Sequence, residues 1–220
     1  MSSYGPQDQA IWVPEADIGV ANGVPGLDGN AMVPISELPI AEQFTIPTGW
    51  IAQTYNRNGG FTNTAQTITS QALYLSSIVL AKGVKVSNII VPSSSTAMVT
   101  PANWWFALFD SSANLLALTA DQLTAGWAAS TRKTLAIATV ASGAATSFTT
   151  TYTGIHYVGV LVNAATPPTL IGCSSTSSGI IFGTPPILTM ATATGITTPP
   201  AFPYTAVESS YPGKIWAGVS

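Results

Sequence analysis

Charged side chains are scarce in this sequence. Asp, Glu, Lys and Arg make up 7% of its 220 residues, whereas soluble domains average roughly 25%. The net charge is only −3, and Arg132 and Lys133 are the only adjacent basic residues. Binding to nucleic acid requires clustered basic groups that neutralise phosphates, so the composition argues against that partner. It favours a protein held in a fixed assembly, where solubility as a free monomer matters less.

Residues that carry chemistry are equally few. Cys173 is the only cysteine, which excludes an internal disulfide, and His156 is the only histidine. One histidine without a G-x-S-x-G motif gives no argument for a catalytic triad, and a zinc site needs more ligands. No apolar run reaches the roughly 18 residues of a membrane helix, and the start lacks the features of a signal peptide. We therefore expect no cofactor, no metal and no membrane insertion.

Residues 1–45 have the composition of an extended arm. Prolines recur too often for a helix or a central strand. The stretch ADIGVANGVPGLDGNAMVPISELP nevertheless holds too many apolar side chains for a free linker. We expect this arm to anchor the chain and to form its oligomer interface through Val20, Val24, Leu27, Val33, Pro34, Leu38 and Pro39.

Residues 46–220 have the pattern of an all-β domain. Short β-branched or aromatic runs alternate with Gly, Pro, Ser and Asn, and no segment sustains an amphipathic helix. This pattern predicts a β-sandwich, jelly-roll-like, with a Pro/Thr-rich irregular C-terminal segment and a last edge strand in KIWAGVS. The predicted strands lie in QALYLSSIVL, KVSNIIV, NWWFALF, NLLALTA, KTLAIATV and IHYVGVLV.

The clearest predicted hairpin is WWFALF-DSSAN-LLALTA. Its turn contains Asp, Ser and Asn, which favour tight turns. Side chains alternate along a strand, so both faces of the first strand are apolar and we expect both to be buried. One face holds Trp104, Phe106 and Leu108; the other holds Trp105, Ala107 and Phe109.

Two acidic residues and the histidine are the candidates for catalysis. Asp110 and Asp121 flank the second hairpin strand, and a carboxylate pair is what glycoside hydrolysis requires. Turn formation and capping explain both positions more simply. His156 alternates with valines, so we expect a packed histidine rather than a catalytic one. No catalytic residue is therefore assigned.

Five of the six tryptophans fall into two groups. Trp104 and Trp127 are candidate stacking platforms for a sugar ring, although a core position is the more common fate of such residues. Trp12, Trp50 and Trp216 lie in the arm, at the start of the domain and near its C-terminus. Those positions suit interface anchors, because tryptophan supplies much contact area per residue.

The arm resembles a short module of bacteriophage tail and head fibres. The matching residues are Gly19-Val20-Ala21-Asn22-Gly23, Leu27-Asp28-Gly29-Asn30, Val33-Pro34 and Leu38-Pro39. Met32 stands where members of that family usually carry lysine. The resemblance implies an intertwined trimer, in which an extended apolar segment is buried against copies of itself or against a capsid or tail surface.

Residues 70–172 are similar to a β-sandwich module common in phages of actinobacteria. Such modules belong to fibre, minor tail or head-surface proteins, which implies a virion location after assembly in the host cytoplasm. The expected function is that of a non-enzymatic virion structural protein, a fibre or capsid decoration protein. Its expected partners are itself, as a homotrimer, phage capsid or tail proteins, and a host-surface glycan. The alternative is a carbohydrate-binding adhesin or weak glycan depolymerase.

Overall fold

The computed structural model describes residues 46–55, 64–174, 189–191, 195–206 and 213–220. These residues contain β-strands and no helix. They belong to the unit Ile46–Ser220, so residues 1–45 and the interface predicted there lie outside the description. The strands are β1 (Ala52–Gln53), β2 (Thr64–Gln66), β3 (Leu73–Leu80), β4 (Lys85–Val86), β5 (Asn88–Pro92), β6 (Val99–Phe109), β7 (Leu115–Thr119), β8 (Arg132–Val140), β9 (Gly143–Ala144), β10 (Phe148–Thr149), β11 (Gly154–Thr166), β12 (Leu170–Ser174), β13 (Thr189–Ala191), β14 (Gly213–Ile215) and β15 (Gly218–Val219).

The main sheet has the order β1-β15-β5-β8-β7-β6-β11-β3-β13, with β9 paired to β8. All of its strand pairs are antiparallel. β8 joins its two parts, because Arg132–Ala136 pair with β5 and Ile137–Val140 pair with β7. A register shift in β7 accompanies the change of partner. The strand order runs β14-β12-β2 in a small sheet, and β10 pairs with β4.

This arrangement confirms the predicted all-β sandwich, whose sheets form a nearly closed, barrel-like structure. The predicted edge strand in KIWAGVS is present only in part: Lys214 and Ile215 lie in β14, at the edge of the small sheet. β15 lies between β1 and β5 and is not an edge strand, because β1 covers its free side. The start and the end of the described domain therefore meet in one sheet.

The predicted hairpin is present as β6 and β7, and both faces of β6 are buried. Trp104, Phe106 and Leu108 contribute to the core inside the sandwich. The other face of the strand carries Trp105 and Phe109, each 0% exposed, within a second apolar cluster. The two-sided burial predicted from the alternation is thus confirmed.

The second cluster is packed against part of the C-terminal segment. Phe202 and Tyr204 lie against it, and Tyr204 O accepts a hydrogen bond from Leu115 N at 2.8 Å. Gly159, in the middle of β11, makes room for the cluster: a Cβ there would lie 2.6 Å from the Phe109 ring. In the described residues, no helix is long and apolar enough to cross a membrane.

Candidate functional site

The structure brings together two of the three tryptophans predicted as interface anchors. The Trp50 and Trp216 rings stack with centroids 4.8 Å apart and an interplanar angle of 28°. Ile90 completes a buried cluster with them, and Tyr55 and Ile171 pack against it. We call these five residues the tryptophan cluster. It joins the segment that follows the arm to the C-terminal segment.

Polar contacts hold the tryptophan cluster in register with the sheet. Trp216 Nε1 donates a hydrogen bond to Gln53 Oε1 at 3.1 Å. Thr54 Oγ1 donates to Ile215 O at 2.8 Å and accepts from Ala217 N at 3.0 Å. Trp50 Nε1 and Gln53 Nε2 are buried donors that find no hydrogen-bond acceptor among the described residues. Gly218 lies under the Trp50 ring, at a distance too short for any Cβ.

The remaining predicted interface residues cannot be placed. Trp12 and the arm residues Val20, Val24, Leu27, Val33, Pro34, Leu38 and Pro39 all lie outside the described residues. The join between arm and domain is therefore described from the domain side only, beginning at Ile46.

Trp104 and Trp127 are core residues. Each is 1% exposed, and the two rings stack on each other with centroids 5.1 Å apart. Trp104 Nε1 donates to Ala125 O at 2.7 Å. Neither ring exposes a face on which a sugar could stack. The structure therefore favours the core position over the glycan contact considered from the sequence. Burial of this kind follows from strand alternation, which places Trp104 beside Phe106 in the core.

His156 is fully buried in β11. Its ring stacks on Tyr152 with centroids 4.3 Å apart, and Nδ1 lies 3.1 Å from Gly154 O. Nε2 is buried and has no hydrogen-bond partner within the described part of the chain. Burial lowers the pKa of His156, although the Gly154 carbonyl and the Asp110 carboxylate oppose the shift. The imidazole is thus a neutral packing group, as its alternation with valines predicts.

Asp110 and Asp121 each stabilise a loop. Asp110 Oδ1 accepts from Ser112 N and Asn114 N, both at 2.8 Å. Asp121 Oδ1 accepts from Trp104 N at 3.1 Å. Strand β6 separates Trp104 from Asp110 by about 20 Å at about 3.3 Å per residue. Glycosidase carboxylates lie roughly 5–9.5 Å apart, so these two do not form such a pair.

One polar contact was not predicted from the sequence. Lys214 Nζ donates a hydrogen bond to Ser77 Oγ at 2.9 Å, and Lys214 lies opposite Cys173 on β12. Burial lowers the pKa of Lys214 to about 8, with the nearby Cys173 opposing the shift. Ser77 and Lys214 lie on strands that are distant in sequence, so no local pattern predicts their contact. The apolar neighbours of Lys214 in KIWAG were the only sequence signal that its side chain would be largely buried.

No group of three or more His, Cys, Asp or Glu side chains within the described ranges could hold a metal ion. Comparisons with protein-family models, with curated proteins and with solved structures give no significant match to this chain. Its function is therefore argued from the residues and contacts described above.

Proposed function

We propose that this protein is a structural component of a bacteriophage virion, a trimeric fibre or decoration protein on the head or tail. Its N-terminal arm anchors it to the particle, and its β-sandwich is displayed outward. The protein is non-enzymatic in this proposal, and its sandwich contacts other surfaces rather than transforming a substrate. The sequence resemblances of the arm and of residues 70–172 to phage fibre and head-surface modules support this assignment.

One structural observation supports the proposal most: the domain is closed by the residues that directly follow the arm in the sequence. β1 starts seven residues after the arm and pairs with β15, the last of the described strands. The Trp50–Trp216 stack lies at the same place. A load applied to the arm would act on a sheet in which the first and last strands hold each other, which suits an anchored, displayed domain.

The polar residues of the domain support a structural role. Asp110 accepts hydrogen bonds from N–H groups of its own turn, and Asp121 accepts from N–H groups of β6 and from Leu123 N in its own loop. His156 is buried and stacked on Tyr152. These groups stabilise turns and packing, which accounts for them without any substrate.

Assembly through the arm gives the direct test. Light scattering of the full-length protein should report three times the chain mass of 22.6 kDa. Leu27→Asp with Leu38→Asp should yield monomers, because each buried leucine contributes about 2 kcal/mol and aspartate adds a desolvated charge. As the matched control, Leu123→Asp changes a leucine of the domain that is 57% exposed and should leave the trimer intact. A full-length protein that is monomeric, or a trimer unaffected by the double change, would contradict the proposal.

A further inference from the structure

Ser77 and Lys214 form a hydroxyl–amine pair. Ser77 lies on β3, where it is 5% exposed, and Lys214 lies on β14. Lys214 Nζ and Ser77 Oγ are 2.9 Å apart. A serine within hydrogen-bond reach of a buried lysine is the arrangement in which lysine serves as the base that activates the hydroxyl.

We propose that Ser77 is a covalent acyl-acceptor site, in which Ser77 Oγ is the nucleophile and Lys214 Nζ its base, for small activated carboxylic esters. The low exposure of Ser77 limits the substrate to small acyl groups. The site is used once per chain, so it goes beyond the structural function proposed above and does not depend on it.

The surroundings of Lys214 favour the neutral amine that a base requires. Its pKa is lowered to about 8 by burial, so half of the amine is neutral near that pH. The two acidic residues of the described segments are Asp110 and Asp121, whose carboxylate oxygens accept hydrogen bonds from Asn114 N and from Trp104 N, respectively. Among the described residues, neither carboxylate is placed to keep Lys214 charged.

Cys173 is the titratable group that faces Lys214 from β12. Burial raises the pKa of its thiol, while Lys214 opposes the shift. A thiol that remains protonated is a poor nucleophile, because the thiolate is the reactive form. Cys173 therefore competes weakly with Ser77 for an acyl group.

The transfer step balances within the pair. Ser77 Oγ attacks the ester carbonyl carbon and passes its proton to neutral Lys214 Nζ. The tetrahedral intermediate then collapses, the bond from carbon to the leaving oxygen breaks, and Lys214 returns the proton to that oxygen. The products are an acyl-Ser77 ester, a free alcohol and a neutral lysine. The proposed step ends at the acyl-serine, with one acyl group per chain.

The test treats the folded full-length protein with p-nitrophenyl acetate between pH 6.5 and 9.5. We expect one nitrophenolate released per chain, one acetyl group on Ser77 by peptide mass mapping, and a rate that levels off above about pH 8. Ser77→Ala should abolish the adduct. Lys214→Arg keeps the positive charge but supplies no neutral base, so it should slow acetylation at least tenfold. Cys173→Ala is the control and should acetylate at the wild-type rate.

The wild-type protein alone can overturn the proposal, whatever the folding of the variants. Absence of an adduct on Ser77, or an adduct carried by Lys214 or Cys173 instead, would do so. The proposal would also be overturned if a Lys214→Arg variant, shown by circular dichroism to be folded, were acetylated at the wild-type rate.

Discussion

Trp50, in the turn that leads into the domain, stacks on Trp216, from the C-terminal segment, with ring centroids 4.8 Å apart. The two residues come from opposite ends of the described domain. Their contact is reinforced by the β1–β15 pairing, so the fold is completed only when its last residues are in place. The first and last parts of the domain should therefore unfold together.

Gly218 gives a direct test of this closure. A Cβ at Gly218 would overlap the Trp50 ring and lie 2.8 Å from Ala52 O, so Gly218→Ala must displace the ring or the strand. We expect it to lower the free energy of unfolding by about 1–3 kcal/mol, measured by guanidinium denaturation. The control is Gly126→Ala, where a Cβ meets no atom within 4 Å. Equal stability of the two variants would show that the tryptophan cluster is not tightly packed.

His156 predicts how stability depends on pH. Its pKa is lowered in the folded state from the ordinary value of 6.5, so the unfolded chain binds a proton that the folded domain does not. Stability is then complete above pH 6.5 and is lost as the pH falls, by up to about 1.4 kcal/mol per unit. Denaturation at pH 7.5 and pH 5.5 measures this loss. His156→Phe keeps a ring beside Tyr152 and should remove this pH-dependent loss of stability. If the variant loses as much stability between pH 7.5 and pH 5.5 as the wild type, the loss comes from other titratable groups.

Asp121 should matter more to folding than Asp110. Asp121→Ala leaves Trp104 N and Asn103 Nδ2 without acceptors, whereas the Asp110 contacts are exposed to water. Loss of a buried partner costs about 1–3 kcal/mol. Thermal unfolding of the two alanine variants provides the comparison, with the lower midpoint expected for Asp121→Ala. The reverse order would contradict the assigned roles.

Local pattern predicted much of this fold, whereas contacts between distant segments escaped it. The hairpin and the burial of both faces of β6 follow from alternation around Trp104 and Trp105, which needs only neighbouring residues. The stack of Trp50 on Trp216 and the contact of Lys214 with Ser77 depend on strand order. That order is set by packing across the whole sandwich, so a single sequence gives no local signal for it. For the same reason, KIWAGVS was predicted as one edge strand, whereas it contains the end of β14, at the edge of the small sheet, and the whole of β15, inside the main sheet.

Trp127 distinguishes a core role from glycan binding. Trp127→Ala should lower stability by about 3–5 kcal/mol, because it removes a ring packed against Trp104 and Phe106. Guanidinium denaturation measures that loss. Glycan binding by the fraction that remains folded, measured on a glycan array, should equal that of the wild type. A stable variant that selectively loses glycan binding would reinstate the tryptophans as a sugar platform.

The central claim is that this chain is displayed on a virus particle. Electron microscopy of intact particles labelled with antibody fragments against residues 46–220 tests it most directly. The proposal predicts label at regular, symmetry-related positions on the head or tail surface, and loss of that label when Leu27 and Leu38 are both changed to aspartate. Particles that carry no label, while the same antibody detects the protein free in the lysate, would contradict it.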